Sequence, residues 1–317
     1  MKKLIVKVLA LFSLVLVSLT VINYLYTNTM HWKDGVKAEI KKFENVPYHI
    51  QLANVGSSHG TVSFDYTGIP YRTFNFALGN QWHVYNYAIL EQYLEHFDKN
   101  AVLLIPISYF QITRLKKDFT EQRKQYYRFL EKQHIESYST LEKLVFDLFP
   151  VLTAKDTILF IIKDQPPPEK QIITLPESEL IDYCDKRYKS WITTDLNDMG
   201  IEAGEEGFAY NKNWVIKTIE LCHDHGIRPV LITTPITSIL NTIYAEKSPD
   251  FFDTFYRFIR EIGDAYPSVP YFDYSHDRRF EDDFSLFQDG DHLNIIGAEK
   301  FTAIVVSDLQ VGGLLSF

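Results

Sequence analysis

Two polar stretches, one near each end of the 317-residue chain, carry residue types that suit nucleophilic catalysis. Ser58 lies in the stretch 54–60, NVGSSHG, where the glycines let the backbone turn sharply after an alternating apolar segment. His292 lies in the stretch 289–292, DGDH. A serine hydroxyl becomes a good nucleophile when a histidine takes its proton. We therefore predict Ser58 as a nucleophile and His292 as its base.

The group that orients His292 is one of two carboxylates in the same stretch. Asp289 stands three residues before the histidine, which places both side chains on one face of a turn. Its carboxylate can then accept a hydrogen bond from ring Nδ1–H and leave Nε2 facing the serine. Asp291 is the neighbouring alternative. We predict Asp289 in this role.

Alternating strand and helix patterns supply the scaffold that would bring these stretches together. The continuous apolar run at 101–108 is typical of a strand buried on both faces of a parallel sheet. The predicted strands lie at about 48–55, 71–79, 101–108, 228–235 and 269–274. The predicted helices lie at about 81–97, 213–225, 249–266 and 294–309. This alternation predicts an α/β fold of three layers, α/β/α, in which the middle layer is a mainly parallel sheet.

The alternation breaks between residues 111 and 211. We interpret this region as a mostly helical insertion that covers the active edge as a lid or a substrate platform. Its apolar segment 158–162 fits either a strand or a helix. The run Pro166-Pro167-Pro168 predicts a loop.

The amino-terminal segment predicts a membrane anchor. Lysines at positions 2, 3 and 7 accompany the apolar segment 4–25, which supplies the ~20 residues that a bilayer-spanning helix needs. Tyr24 and Tyr26 stand where an interfacial aromatic belt is expected. We predict an uncleaved signal anchor with its amino terminus in the cytoplasm; a cleaved signal peptide is the alternative. The predicted divisions are an anchor at 1–27, a stalk at 28–47 and an extracytoplasmic domain at 48–312.

Composition narrows the partners and cofactors. The net charge of −9, without a basic stripe, argues against a nucleic-acid partner. Cys184 and Cys222 are too few for a disulfide framework, and Cys222 on an apolar helix face fits a buried thiol better than a disulfide. The segment Cys222-His223-Asp224-His225 lacks a second ligand cluster at metal-site spacing, so we predict neither a metal nor another cofactor.

The two polar stretches resemble the first and last sequence blocks of the SGNH/GDSL hydrolase superfamily. Gly56-Ser57-Ser58-His59 resembles the first block, with Ser58 at the nucleophile position. Asp289-Gly290-Asp291-His292-Leu293-Asn294, followed by Gly297-Ala298, resembles the last block. Gly79 stands where the second block has its oxyanion glycine. The resemblance implies an oxyanion hole that uses the backbone N–H groups of Ser58 and Gly79.

Two positions depart from the superfamily's pattern. Ser57 replaces the usual acidic residue of the first block, and the third block, Gly-x-Asn-Asp, is not evident. Ser108, after the third predicted strand, would replace the missing side-chain donor of the oxyanion hole. Losing one such donor can lower the rate ~10²–10³-fold. We predict substrate contacts for His59, beside the nucleophile, and for Asn75 and Gln81, which flank the second block. Structural packing is the alternative for His59, and ordinary capping or surface roles are the alternative for Asn75 and Gln81.

The resemblance implies a function at the cell surface. It suggests a membrane-anchored serine esterase or O-acyltransferase that acts on acyl groups of a cell-envelope glycan through an acyl-serine intermediate. The anchored layout is similar to that of the D-alanyl-lipoteichoic acid transfer and alginate O-acetylation proteins, which implies a membrane-bound O-acyltransferase as a partner. The alternative, motivated by the missing third block, is a protein of this fold that binds or assembles envelope polymers without turnover.

Overall fold

The computed structural model describes most of the chain, in two compact units. One unit comprises residues 1–46 and 120–171, and the other comprises residues 47–119 and 172–317. The predicted loop at Pro166–Pro168 lies outside the described residues. The described residues are 1–116, 120–152, 154, 157–164, 174–192 and 201–315.

The larger unit is built on a five-stranded sheet in which all strands run parallel, in the order β2-β1-β3-β6-β7. A separate antiparallel pair joins β4 and β5. The predicted α/β class with a mainly parallel sheet is thereby confirmed. The strands are β1 (Ile50–Asn54), β2 (Thr73–Asn75), β3 (Phe97–Pro106), β4 (Arg114–Lys116), β5 (Ile201–Ala203), β6 (Arg228–Thr233) and β7 (Tyr271–Asp273).

Helices cover both faces of the large sheet. On one face, Leu52, Val102 and Val230 of the three central strands share a buried cluster with Phe301 and Val305 of the last helix. On the other, α9 packs on β6 and α4 packs on α9. The α-helices are α1 (Lys2–Thr27), α2 (Lys37–Glu44), α3 (Ser58–Ser63), α4 (His83–Tyr93), α5 (Thr120–Tyr126), α6 (Thr140–Leu148), α7 (Thr157–Lys163), α8 (Glu177–Ile192), α9 (Glu205–Asp224), α10 (Ser238–Lys247), α11 (Asp250–Ala265) and α12 (Ile295–Val311).

Helix α10 was not predicted from the sequence, although its start has a recognisable signal. The Thr237 hydroxyl accepts a hydrogen bond from the Leu240 backbone N–H, as an N-cap residue does. Helix α9 also begins eight residues earlier than predicted, at Glu205 rather than 213, inside the region assigned to the insertion. The apolar segment 158–162 is helical, because it forms most of α7.

The strand order creates a crevice at the carboxyl ends of β1 and β3. The chain leaves β1 toward β2 on one side and leaves β3 toward β6 on the other, and ligands of doubly wound sheets bind at such a switch point. Gly56, just after β1, has a φ of 122°, a conformation that favours glycine. A Cβ atom there would lie 3.1 Å from Cγ of Pro106 at the end of β3. The loop that carries Ser58 is therefore packed closely against this crevice.

The smaller unit contains the amino-terminal helix. Among the described residues, α1 is the one helix long and apolar enough to cross a membrane, with 26 residues and a mean hydropathy of 2.6. A π-helical segment, His31–Val36, and then α2 follow it, so the predicted stalk is largely helical.

Two glycines inside helices give a matched test of the packing around Ser58. A Cβ atom on Gly60 of α3 would lie 2.7 Å from the Val55 carbonyl oxygen and 2.8 Å from Cβ of Ala77. A Cβ atom on Gly263 of α11 would meet no heavy atom within 4 Å. We expect Gly60→Ala to lower the free energy of unfolding by about 1–3 kcal/mol through overpacking. We expect Gly263→Ala to raise it by up to ~1 kcal/mol through helix propensity.

Chemical denaturation followed by circular dichroism measures both changes. Equal unfolding midpoints for Gly60→Ala and the unmodified protein would show that the close approach around α3 does not exist.

Candidate active site

The nucleophile stretch is a sharp passage from strand to helix. Strand β1 ends at Asn54, Ser57 is extended, and Ser58 is the first residue of α3. The first N–H groups of a helix have no acceptor inside the helix. The backbone N–H of Ser58 is one of these groups, so α3 itself offers it no partner. The side chain of Ser58 is half-buried at the crevice.

The histidine stretch is fixed by hydrogen bonds to its own backbone. Oδ1 of Asp289 accepts the N–H of Asp291 at 3.0 Å and the N–H of His292 at 2.9 Å. Two residues after His292, the Asn294 side chain caps α12 by accepting the N–H of Gly297 at 3.0 Å. The turn thus holds the carboxylate of Asp289 close to the imidazole of His292 before the helix begins.

Ser58, His292 and Asp289 form one hydrogen-bonded chain. Oγ of Ser58 lies 2.9 Å from Nε2 of His292. Nδ1 of His292 lies 3.0 Å from Oδ2 and 3.1 Å from Oδ1 of Asp289. An ionised carboxylate can only accept, so Nδ1 carries the proton and Nε2 accepts from the serine hydroxyl. This is the order of groups with which hydrolases activate a serine.

The local charges favour an ionised acid beside a basic imidazole. Burial lowers the pKa of His292, but the negative charges of Asp291 and Asp289 outweigh burial and raise that pKa overall. Burial likewise opposes ionisation of Asp289, whereas His292 and Arg187 lower its pKa well below the ordinary range. Asp289 is therefore a carboxylate at neutral pH, and His292 is a stronger base than free imidazole.

A second histidine–carboxylate pair lies against the first. Nε2 of His59 lies 2.9 Å from Oδ2 of Asp291, and Nδ1 of His59 lies 2.8 Å from Oγ of Ser108. All three side chains are buried. Burial lowers the pKa of His59 despite its contact with Asp291, so this ring is neutral and donates from Nε2 to the carboxylate. The rings of His59 and His292 are 5.0 Å apart, centroid to centroid.

This arrangement gives Ser108 and His59 partners inside the protein. Because Nε2 of His59 carries the proton, its Nδ1 must accept, and the Ser108 hydroxyl must donate to it. That hydroxyl proton is not free for an oxyanion, so the replacement donor expected at Ser108 is not provided. His59 is 1% exposed, and its ring nitrogens face Asp291 and Ser108 rather than the crevice.

Asn75 and Gln81, expected to contact substrate, are engaged inside the protein. The Asn75 amide donates to the Gly60 carbonyl at 3.0 Å and ties β2 to α3. The Gln81 amide donates to Oδ1 of Asn86 at 2.7 Å and is fully buried. Gly79, by contrast, is exposed in the turn after β2. It therefore stays the candidate for the second backbone donor of the oxyanion hole.

Helix α8 contributes two residues that the sequence did not reveal. Arg187 donates from Nε to Oδ1 of Asp291 at 2.9 Å, and its Nη2 also donates to the Tyr183 hydroxyl. The Tyr183 hydroxyl donates to Oδ2 of Asp289 at 2.8 Å. Burial opposes the charge of Arg187, but Asp291, Tyr183 and Asp289 together outweigh burial and raise the pKa of the guanidinium. Tyr183, Arg187 and Trp191 recur every four residues on one helix face, a spacing that marks a shared face but not its partner.

Three residues of the site have metal-ligating atoms close together. Ligand atoms of His59, Asp291 and His292 all lie within 4.8 Å of one another. The atoms of His59 and Asp291 are hydrogen-bonded to each other, and Nε2 of His292 is bonded to Ser58. Binding a metal ion there would break these bonds, so the geometry fits proton transfer better than metal coordination.

An aromatic cleft of about 460 Å³ adjoins the site. Phe110 and Trp191 line it, and their rings lie 5.6 Å and 6.1 Å from the ring of His59. Tyr109, Tyr244 and Phe251 form more of its wall, and Lys247 and Asp250 stand at its exposed rim. A cleft of this size and lining suits a small ligand with an apolar part.

Comparisons with known proteins add little to this geometry. No family model matches the chain, and no curated protein matches it. One similar solved structure is a crystal structure named "putative acylhydrolase" from Bacteroides fragilis, with a TM-score of 0.41 and 9% sequence identity. The match covers 89% of this chain and 98% of that one. At this level of similarity it carries no argument about function.

The charges around His292 predict its titration. We expect its pKa to lie above the ~6.5 of an unperturbed histidine, so that the neutral ring needed to accept a proton appears only at higher pH. Asp289→Asn should lower this pKa, because a neutral amide replaces one of the two nearby carboxylates. The measurement is a pH titration of the ring Cε1–H resonances by NMR, with His292→Gln assigning the signal. A wild-type value at or below that of free imidazole would contradict the described electrostatics.

Proposed function

We propose that this protein is a serine esterase or O-acyltransferase that works through an acyl-Ser58 intermediate. The observation that carries the proposal is the hydrogen-bonded chain from Ser58 through His292 to Asp289 at the carboxyl ends of parallel strands. In this chain the serine is half-buried at a crevice, the base is held in one tautomer, and the acid is ionised. These are the conditions under which a serine hydroxyl attacks an ester.

The proposed reaction has two symmetric halves. Oγ of Ser58 attacks the ester carbonyl carbon while its proton passes to Nε2 of His292. The oxyanion accepts hydrogen bonds from the backbone N–H groups of Ser58 and Gly79. His292 then returns the proton to the leaving alcohol, and the acyl group stays on Ser58. Water or a sugar hydroxyl repeats these steps and releases the acyl group, while Asp289 stays ionised throughout.

The proposed reaction takes place outside the cytoplasmic membrane, on a cell-envelope substrate. We assign α1 as a single-pass anchor, with the amino terminus in the cytoplasm and the catalytic unit outside. The substrate would be an acylated cell-envelope glycan, and a membrane-bound O-acyltransferase would supply the acyl donor. Support for the anchor comes from the length and apolar composition of α1. The substrate and the partner rest on the resemblance of the two sequence blocks alone.

The aromatic cleft is proposed to hold the acyl chain of the ester. It shares Phe110 and Trp191 with the surroundings of His59, next to the nucleophile in sequence. Its walls are aromatic and its charged groups stand at the rim, so a chain longer than acetyl would gain contacts inside. The glycan or leaving group would then remain on the solvent side.

A second candidate is a polymer-binding or assembly protein that turns over slowly or not at all. One observation favours it: the Ser108 hydroxyl donates to His59, which leaves the oxyanion hole to backbone groups. In that case polymer modification in cells would be lost on deletion of the protein but retained in Ser58→Ala.

A covalent probe tests the nucleophile directly. We expect a fluorophosphonate to label the protein on the peptide that carries Ser58, because the probe reacts with activated serines. Ser58→Ala should abolish the label. Ser57→Ala is the matched control and should keep it, because Ser57 is buried and bonds to neither histidine in the described structure. Mass spectrometry locates the adduct. No labelling of the wild type, or equal labelling of Ser58→Ala, would sink the enzyme proposal.

A chain-length series tests the cleft. We expect p-nitrophenyl hexanoate to be cleaved with a higher kcat/KM than the acetate ester. Phe251→Ala should lower the hexanoate value about tenfold, since a methylene-sized contact in a pocket is worth ~1–3 kcal/mol. It should leave the acetate value nearly unchanged.

Phe252→Ala is the control for this series. Phe252 neighbours Phe251 at the start of α11 but does not line the cleft. Its ester preference should match that of the wild type. If both variants change the preference equally, or neither does, the acyl chain binds elsewhere.

A further inference from the structure

Helix α6 of the smaller unit exposes a face of large aliphatic side chains, which a core helix would bury. Leu141, Leu144 and Leu148 are 71%, 52% and 58% exposed, and their spacing of three and four residues places them on one face. On another side of the helix, Phe146 is buried and Glu142 pairs with Arg123 at 2.7 Å. These interior contacts fix the orientation of the helix, so its leucines point outward.

Helix α7 also exposes aliphatic side chains on one face. Ile158 and Ile162 are 73% and 75% exposed, and their four-residue spacing aligns them. The Thr157 hydroxyl donates to the Val151 carbonyl at 3.2 Å, which joins the start of α7 to the short helical turn after α6. In that turn Leu152 is also exposed. We call these six side chains the aliphatic face: Leu141, Leu144, Leu148, Leu152, Ile158 and Ile162.

The aliphatic face is attached to the end of α1. The Val151 N–H donates to Oδ1 of Asn23, in the last two turns of α1, at 3.2 Å. Beyond the carboxyl end of α1, the Met30 N–H donates to Oδ1 of Asp164 at 2.5 Å, and the ring of His31 stacks on Phe160 at 3.7 Å. These contacts hold α7 alongside the point where the apolar part of α1 ends.

From these contacts we infer that the aliphatic face lies in the interfacial layer of the membrane leaflet from which α1 emerges. Soluble surfaces rarely expose a contiguous group of large aliphatic side chains. Here the group adjoins α1, a helix that is long enough to span a bilayer and whose apolar side chains are exposed. Lipid that surrounds α1 would therefore reach the aliphatic face and cover it. Helices with one apolar and one polar side bind in this way, parallel to the bilayer surface.

The inference goes beyond the acyl chemistry and rests on the proposed anchor. A single spanning helix lets the attached unit rotate and tilt, whereas a second contact beside it would fix the smaller unit at one depth. The polar side of α6 agrees with this placement. Its charged side chains Lys143 and Asp147 form an ion pair with each other, with 2.5 Å between Nζ and Oδ1. An integral membrane protein is the competing occupant of the same face.

Spin-label accessibility in pure lipid tests the placement. The full chain is reconstituted into vesicles of phosphatidylethanolamine and phosphatidylglycerol, with one nitroxide on Leu144→Cys or Ile158→Cys. Asp147→Cys, on the polar side of α6, is the matched control, and Leu14→Cys reports on the span itself. The native thiols Cys184 and Cys222 are free but buried, and the unsubstituted protein measures any labelling of them. Circular dichroism verifies that each variant folds.

We expect labels at 144 and 158 to be severalfold more accessible to oxygen, and severalfold less to a water-soluble nickel complex, than the label at 147. Nickel accessibility at 144 and 158 equal to that at 147, with 14 shielded, would overturn the inference while leaving the anchor intact. Shielding of 144 and 158 in native membranes but not in pure lipid would overturn it in favour of a protein partner. A water-accessible label at 14 would refute the anchor and the inference together, without touching the labelling of Ser58.

Discussion

The candidate site depends on two carboxylates that one short turn holds beside two histidines. Asp289 accepts from His292, and Asp291 accepts from His59, with the two imidazole rings 5.0 Å apart. Carboxylates this close repel each other and lose hydration, so they need compensation from the protein. The backbone N–H groups of the turn and the guanidinium of Arg187 supply it. Without that compensation, one of the acids would be neutral and His292 would lose its support as a base.

The two pairs have different environments and therefore different chemistry. His292 is 14% exposed, faces both carboxylates and has a raised pKa, which suits a group that accepts and returns a proton. His59 is buried, neutral and bonded at both ring nitrogens, which suits a group that holds Asp291 and Ser108 in place. Adjacent serine and histidine residues in one stretch thus serve separate purposes: Ser58 reaches the crevice and His59 points into the protein. The crevice itself follows from the strand order. The chain adds β2 on one side of β1 and β6 on the other side of β3, and this switch in direction leaves space at the carboxyl ends of β1 and β3.

The smaller unit poses a different physical problem, since its exposed surface is apolar at both α1 and the aliphatic face. Ion pairs join residues of this unit to each other: Arg123 pairs with Glu142, and Arg128 pairs with Glu39. These ion pairs and the stacked rings of Phe43 and Phe129 give the unit an interior of its own. Its outward aliphatic side chains are consistent with a lipid environment, whereas the aliphatic side chains of the larger unit are mainly packed inside.

Local pattern in the sequence determined the α/β class, the approximate positions of the five strands of the large sheet and the two stretches that meet, because apolar periodicity and turn residues act over a few neighbours. Ser58, His292 and Asp289 could be named from those stretches. The partners of buried polar side chains could not, since hydrogen bonds between residues far apart leave no local trace. Thus Arg187 and Tyr183 were missed inside the region assigned to the insertion. The sequence left open whether His59, Asn75 and Gln81 contact substrate or serve the fold, and it did not reveal that they and Ser108 bond within the protein. Only the tertiary structure, which sets α8 against the turn at 289–292 and that turn against the stretch after β1, decided which polar groups bond to one another.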